Sequence, residues 1–564
     1  MEQPDSQLAI GRSFQFRWAC RSIVLLLGTV QAAAARNTMN VDGMSYLDIA
    51  TEYLRGHVGD AINGHSSPLY SWLIAAVLGL VDPSPRWEFA AVHALNLVLF
   101  AAALAAFDFF LRELFRTAKP VADVAATPPG NAWWLLGYAC FSYSSLVLIN
   151  LRFVGPDIFL SAIIYTMAGL LLRLSRSSGV PLRLASLLGL ILGVGYLTKA
   201  VMLPVGIVTL AVLVALMRQR RGRLICPAVA AVAFICVSSP WIVTLSKAKG
   251  RFTTGDAGKL NFAWHVDGVR VFRHWQGDSL SGSPVHGTRS LSADPAIYEF
   301  AAPVAGTYPV WFDPSYWYEG VKRRGNMRSQ MRRISQSAQD LLNQQWFYPA
   351  AVAILAAWLS AGVRRSRKAL AATWFVLVPM LAGFGLYSLV HILGRYMAPF
   401  VAVTVPTLLF AAAYHREGEA VHHDAPANAL AASLAVVLML MVTYQLWFND
   451  RMTPRGHPQL ELAHAMQQMG VRRGMRLGVI GESTNAYWAR LAGARIVAEI
   501  TPEESARFWS GPSARRAALL ELFRRAGTVA VVADHVPSWA DTASWTPVGN
   551  SGYWISGDLT MRAR

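Results

Sequence analysis

The sequence predicts a polytopic α-helical membrane protein with a small soluble α/β region at its C-terminal end. Three observations lead there. Of 564 residues, 54% are hydrophobic and only 15% are charged; a soluble chain of this size would divide into domains with polar surfaces and linkers. Apolar runs of about 16–23 residues recur, and about 20 apolar residues span a bilayer core. After residue 448 the pattern changes to short strand-like and helix-like segments.

Arg12, Arg17 and Arg21 precede the first apolar run, 22–35. The small residues Ala32 to Ala35 also fit a signal-peptide cleavage site, a second reading of the same segment, and both readings place Asn37 outside. The run 68–81 is short for a span and ends at the Asp-Pro-Ser-Pro break of 82–85, so it is expected to lie along the outer membrane face. Further crossings are expected at 88–111, 132–149, 157–172, 184–197, 200–217, 224–245, 346–363, 370–390, 396–413 and 429–448. That makes about eleven crossings in a domain spanning 1–448, with external loops 37–87 and 246–345 and an external domain 449–564.

A net charge of +18 raises nucleic acid as a partner. The basic residues, however, cluster in short loops: Arg112, Arg116 and Lys119; Arg173, Arg176 and Arg183; Arg218, Arg220, Arg221 and Arg223; Arg364, Arg365, Arg367 and Lys368. With 68–81 outside the count, all of these fall on the cytoplasmic side, as the positive-inside rule requires. Topology therefore accounts for the charge, and no nucleic-acid partner is expected. Cys20, Cys140, Cys226 and Cys236 lie in or beside predicted spans, with no metal-ligand spacing and no disulfide framework.

The C-terminal region reads as strand 476–481, helix 483–491, strand 494–500, amphipathic helix 513–525 and strand 528–533. Its turn G-V-I-G-E-S, 478–483, lacks a full dinucleotide fingerprint, so an accessory domain is expected there. In the long loop, the stretch G-T-Y-P-V-W-F-D-P-S-Y-W-Y-E-G, 306–320, is dense in aromatics. Such rings suit stacking on sugar faces and equally an interfacial aromatic belt. Lys322, Arg323, Arg324, Arg328, Arg332 and Arg333 follow on an expected amphipathic helix suited to anionic headgroups or phosphates.

Ionisable groups at membrane depth or at its edge are expensive and usually functional. Asp42, Asp48, Arg152, Asp157, Lys199, His391 and Arg395 all fall at the external end of the expected topology. They form either one convergent site or structural ion pairs such as Arg152 with Asp157.

Five motifs carry a resemblance. D-G-x-x-Y-x-x-I-A (Asp42, Gly43, Tyr46, Ile49, Ala50), S-S-P-L-Y-S-W-L (66–73), G-P-D-I-F-L (155–160), G-V-G-Y-L-T-K-A-V-M-L-P (193–204) and G-R-Y-M-A-P (394–399) occur in that order. Together they resemble the membrane glycosyltransferases of the C fold class, closest to the aminoarabinose transferase and protein O-mannosyltransferase superfamily. The resemblance covers roughly 22–413. Two departures stand out: Gly43 occupies a position where the family often has Glu, and Ser66 one where it has Lys.

The resemblance implies a GT-C-like fold and transfer of a sugar, with inversion, from a polyprenyl phosphate donor to a lipid, glycan or protein hydroxyl. With the charge bias of the loops, the expected location is the inner (cytoplasmic) membrane of a bacterium, the site facing the periplasm or exterior. Asp42 is then the general base, since the attacking hydroxyl must lose a proton. Lys199 and Arg395 meet the charge on the leaving phosphate, with Tyr396 as a hydrogen-bond donor. Asp157 orients the acceptor or pins Arg152; with His391, Tyr46 and His65 these residues complete the expected donor and substrate set. No cofactor and no obligate metal are expected, because fixed cations can serve a monophosphate leaving group and the chain has no Asp-x-Asp motif. The alternative is a transporter or flippase of lipid-linked sugars, but neither the loop-one motif nor T-K-A-V-M-L-P recurs as an internal repeat would require. A sensor or assembly protein would leave Asp42, Lys199 and Arg395 without a common purpose. An oligosaccharyltransferase would normally hold a divalent metal on several external carboxylates, of which the loop around Asp42 offers few.

Overall fold

The computed structural model describes residues 3–117, 130–218, 224–271, 274–300, 305–414, 425–452 and 456–556. Lys119, Arg220, Arg221 and Arg223 lie outside the described residues, as do the side chains of Arg12, Arg364 and Arg365. The chain forms two compact units. One comprises Met1–Ala35, His93–Thr254 and Asn326–Thr453; the other comprises Arg36–Val92, Gly255–Gly325 and Pro454–Arg564.

Among the described residues, 8 helices are long and apolar enough to cross a membrane. They are Phe14–Ala35, Pro85–Phe115, Asn131–Ile149, Asp157–Arg176, Ile225–Ala248, Arg367–Ser388, Gly394–Ala413 and Pro426–Asn449. The protein is a polytopic membrane protein. The expected crossings at 184–197, 200–217 and 346–363 form the shorter apolar helices Leu182–Thr198, Met202–Met217 and Phe347–Ala361. Lys199 separates the first two because its backbone is extended (φ −157°, ψ 130°), so the helix cannot run on. Pro68–Val81 is a helix of 14 residues, started by Pro68 and ended by Asp82 in a left-handed conformation.

Helices Leu182–Thr198 and Ile225–Ala248 pack through Gly189 and Gly193. A Cβ at Gly189 would overlap the Ala230 carbonyl, and one at Gly193 would overlap Val237. Small residues four apart let helix backbones meet, which is how apolar helices gain contact where lipid offers no hydrophobic drive.

Helix Asn131–Tyr143 passes into a π-helical turn, Ser144–Ile149, that stops at Asn150 with φ 67°. Asn tolerates this left-handed conformation better than branched residues do. Gln31, buried on the first helix, serves both sides of the irregularity: its amide donates to the Leu146 carbonyl (2.9 Å) and accepts from Leu151 N–H (2.9 Å). Buried backbone groups that leave the helical ladder need such partners.

The second unit is built on a seven-stranded sheet. Its strands are β1 (Arg289–Ala293), β2 (Ala296–Glu299), β3 (Arg476–Ile480), β4 (Arg495–Ile500), β5 (Ala530–Ala533), β6 (Trp545–Pro547) and β7 (Trp554–Ser556), in the order β1-β2-β4-β3-β5-β7-β6. The three central strands are parallel, and both flanks are antiparallel. The sheet is therefore shared: β1 and β2 come from the long loop. Helices Pro502–Ser510 and Ser513–Arg525 cover it, with Phe508, Trp509 and Phe523 packed on Ile480, Ile500 and Val531.

The aromatic stretch is neither a sugar platform nor a membrane belt. Trp311, Phe312 and Trp317 are buried on two short helices, Pro309–Phe312 and Pro314–Trp317, and Tyr308 and Tyr318, which flank them, are buried too. Trp317 donates to the Pro309 carbonyl and Tyr318 to the Arg270 carbonyl, at 2.9 and 2.6 Å. The rings form the core of a loop too long to be stable without one.

Candidate active site

In the membrane unit, three helix ends bring four of the expected residues together. Asp157 opens helix Asp157–Arg176, where the positive end of the helix dipole favours a carboxylate. Lys199 sits at the break between two short helices, and Arg395 and Tyr396 lie in the first turn of Gly394–Tyr414. Lys199 Nζ is 2.5 Å from Asp157 Oδ1, and Arg395 approaches Asp157 Oδ2 at 3.6 Å. Tyr396 lies between the cations, its ring 4.1 Å from Lys199 Nζ and its hydroxyl 3.2 Å from Arg395. Phe153, on the loop that Gln31 helps to hold, carries the Arg395 guanidinium 3.9 Å from its ring centre.

Two cations thus face one carboxylate. The Asp157 side chain is only 2% exposed, whereas those of Lys199 and Arg395 are 22% and 17% exposed. Positive charge, not negative, is what the cluster offers to a ligand. His391 stands behind it: burial, then the charges of Arg333 and Arg395, push its imidazole down to about 4, so it is neutral at physiological pH. Its Nδ1 lies 3.0 Å from Arg333, which it can meet only as a neutral acceptor.

The expected Arg152–Asp157 pair does not form. Arg152 donates to the Asn449 carbonyl at 2.8 Å, because Asn150 turns the chain before helix Asp157–Arg176 begins and Asp157 is taken by Lys199.

In the second unit, the polar stretch around Asp42 is not a loop but the start of helix Val41–Leu54, with Asn40 as N-cap residue and Asp42, half-buried, in the first turn. Farther along this helix, Asp48 is buried and fully engaged. It accepts from Thr307 N–H (2.7 Å) and the Thr307 hydroxyl (3.0 Å), and pairs with Arg490 at 2.6 Å. Arg490, from helix Tyr487–Ala492, also pairs with Glu88 at 2.6 Å and reaches the Thr51 hydroxyl at 2.9 Å. Burial alone would lower the Arg490 pKa, but Glu88 and Asp48 outweigh it and hold it above its ordinary value. Tyr487, on the same helix, is raised by burial and then by the charges of Asp42 and Glu482, which places those carboxylates within electrostatic reach of its phenol. Tyr46 packs edge-on against Tyr70, with ring centres 5.1 Å apart, and His65 lies 5.9 Å from Trp264.

The chain is similar to solved structures along nearly its whole length. Cupriavidus metallidurans ArnT in the apo state aligns with a TM-score of 0.54 at 13% identity, over 97% of this chain and 98% of that one. The same protein bound to undecaprenyl phosphate aligns at 0.52 and 12%, over 95% and 97%. The fold is that of a C-class membrane glycosyltransferase. An Archaeoglobus fulgidus oligosaccharyltransferase aligns at 0.49 and 11%, over 91% of this chain and 69% of that one. The sequence matches no family model. It matches no curated protein either.

On this GT-C fold, the Gly478–Ser483 turn offers no phosphate cradle. The Glu482 N–H donates to the Asp534 carboxylate at 3.1 Å, and a Cβ at Gly481 would strike Asp534. The anion position is filled by the chain's own side chain. Glu52, His57 and Asp60 place ligand atoms within 4.8 Å of one another, but Glu52 is already bound by Arg55 (3.0 Å) and His57 (2.9 Å).

Sequence reasoning missed Gln31, Phe153 and Arg490. Gln31 and Arg490 did leave a signal, being strongly polar groups in otherwise apolar segments. What stays invisible in one sequence is the partner, 120 positions from Gln31 for the Leu151 N–H and 442 from Arg490 for Asp48.

Proposed function

We propose that this chain is an inverting glycosyltransferase that moves a sugar from a polyprenyl phosphate to a hydroxyl on a lipid, glycan or protein. The observation that carries the reading is the cluster of Lys199, Arg395 and Tyr396 around buried Asp157 on a GT-C fold. ArnT, similar over 95% of this chain, is a protein that binds undecaprenyl phosphate, which supports a polyprenyl donor.

In the proposed reaction the acceptor oxygen attacks the anomeric carbon while its proton passes to Asp42. The bond from that carbon to the phosphate oxygen breaks, and its electron pair leaves with the phosphate. Lys199 and Arg395 stabilise the charge gained there, and Tyr396 donates a hydrogen bond to it. Asp157 holds the two cations at fixed positions before the donor arrives. Arg152, His391, Tyr46 and His65 are assigned to donor and acceptor binding. No metal is needed in this scheme.

We further assign about eleven crossings, the short apolar helices included, with Pro68–Val81 along the outer face. The inner membrane of a bacterium is the assigned location, with the site and the region 449–564 facing the periplasm or exterior; the positive-inside rule supports this orientation.

The test is transfer from a panel of radiolabelled polyprenyl-phosphate sugars by the purified protein, with mixed membrane lipids as acceptor. Wild type and Asp42→Asn are compared with and without a chelator. Transfer that survives the chelator and disappears in Asp42→Asn is the expected result. Equal transfer by both proteins would remove Asp42 as the base.

A further inference from the structure

We propose that helix Met327–Leu342 lies in the membrane interface and binds anionic lipid headgroups. Asn326 starts the helix, its side chain accepting from Arg328 N–H at 2.9 Å. At 3.6 residues per turn, Met327, Met331, Ala338 and Leu342 fall within about 60° of arc. All four are exposed, Met327 at 69% and Met331 at 52%. Arg328 and Arg332, also exposed, border this stripe on one side. On the other side the half-buried Ile334 and Leu341 lead to Gln330, buried Ser337 and Arg333, which turn toward the protein. A narrow apolar stripe edged by arginines suits the boundary between acyl chains and anionic headgroups.

Two connections fix the helix at that level. Gln330 donates to the Leu389 carbonyl at 2.8 Å, and Arg333 meets His391 at 3.0 Å. Leu389 and His391 belong to the short link between Arg367–Ser388 and Gly394–Ala413, both long enough to cross a bilayer. At its other end, residues 343–346 lead directly into the apolar helix Phe347–Ala361, whose first turn exposes Tyr348. The helix is thus tied at both ends to places where the chain enters lipid. Its bare apolar stripe is then covered by acyl chains, and its arginines reach phosphate. This contact does not depend on what the chain transfers.

The test uses the full chain with Cys236→Ser, which removes the exposed cysteine, and Met331→Cys carrying a bimane label. The protein is reconstituted in phosphatidylcholine vesicles with and without phosphatidylglycerol. Spin-labelled lipid should quench the label at position 331 and iodide should not. A label at Gln336→Cys, on the polar face, should show the reverse. At equal mole fraction, spin-labelled phosphatidylglycerol should quench position 331 better than spin-labelled phosphatidylcholine. Arg328→Gln and Arg332→Gln should each reduce that preference, by about fivefold for an arginine at a charged surface. Quenching by iodide at position 331, no quenching by either agent (a protein or a second copy covering the stripe), or equal quenching by both lipids would each overturn the proposal.

Discussion

Arg490 sits between Asp48 and Glu88, 2.6 Å from each, and so fastens the helix Val41–Leu54 to a residue far along the chain. Both carboxylates lose this counter-charge if the guanidinium is removed, and breaking a buried ion pair from one side costs about 3–5 kcal/mol. Arg490→Met should therefore lower the thermal unfolding midpoint in detergent by several degrees. The triple variant Arg490→Met, Asp48→Asn, Glu88→Gln should recover part of the loss, since no charge is then left buried and unpaired. An unchanged midpoint in Arg490→Met would show that the network contributes nothing to stability.

The cation cluster makes a kinetic prediction. If Lys199 and Arg395 meet charge that grows only as the phosphate leaves, their loss should lower kcat more than it raises KM. Lys199→Met and Arg395→Gln should each reduce kcat by about 10²–10³-fold, the usual effect of losing one donor to developing charge. Asp157→Asn should do less, because it removes the brace and not the contact. Steady-state transfer kinetics distinguish these outcomes. A rise in KM at constant kcat would mean that the cations bind the ground state alone.

These residues show how far sequence could go. Asp157, Lys199, Arg395 and Tyr396 were legible because charge is expensive near lipid, and because short motifs placed them at predicted helix ends. Their pairing was not legible: Arg152 and Lys199 are both plausible partners for Asp157, and only the turn at Asn150 decides between them. The central strands could be read from their apolar runs, whereas β1 and β2 are short, partly exposed and far in sequence from the strands they join. The aromatic stretch misled because a ring-rich segment reads alike whether its rings face ligand, lipid or one another.

His391 gives a pH dependence. Its folded pKa of about 4 lies below the ordinary 6.5, so between these values the unfolded chain binds more protons than the folded one. Stability then rises with pH across that window: it is lost as pH falls from about 6.5 toward 4 and is unaffected by this group above it. His391→Gln keeps an acceptor for Arg333 but cannot titrate. Thermal midpoints recorded between pH 4 and 7 should fall less steeply toward acid in His391→Gln than in wild type. Parallel curves would mean that His391 is not held neutral.

Gln31 supplies the remaining link, from a buried amide to the cations. It holds the π-helical turn through Leu146 and Leu151, and two residues later Phe153 carries Arg395 on its ring. In Gln31→Leu the Leu146 carbonyl and the Leu151 N–H lose their side-chain partner inside a dry interior, which costs about 1–3 kcal/mol per orphaned group. Phe153 should also lose its fixed position, so Arg395 would be held less firmly beside Asp157. The expected result is a lower thermal midpoint together with a fall in kcat, although Gln31 makes no hydrogen bond to the four residues of the cluster. Gln31→Glu separates the two effects, since its carboxylate can accept from Leu151 N–H but cannot donate to the Leu146 carbonyl unless protonated. Its transfer rate should therefore fall as pH rises through the carboxyl titration, while that of Gln31→Leu stays low throughout. If Gln31→Leu transfers at the wild-type rate once folded, the turn supports stability alone and Arg395 is positioned without it.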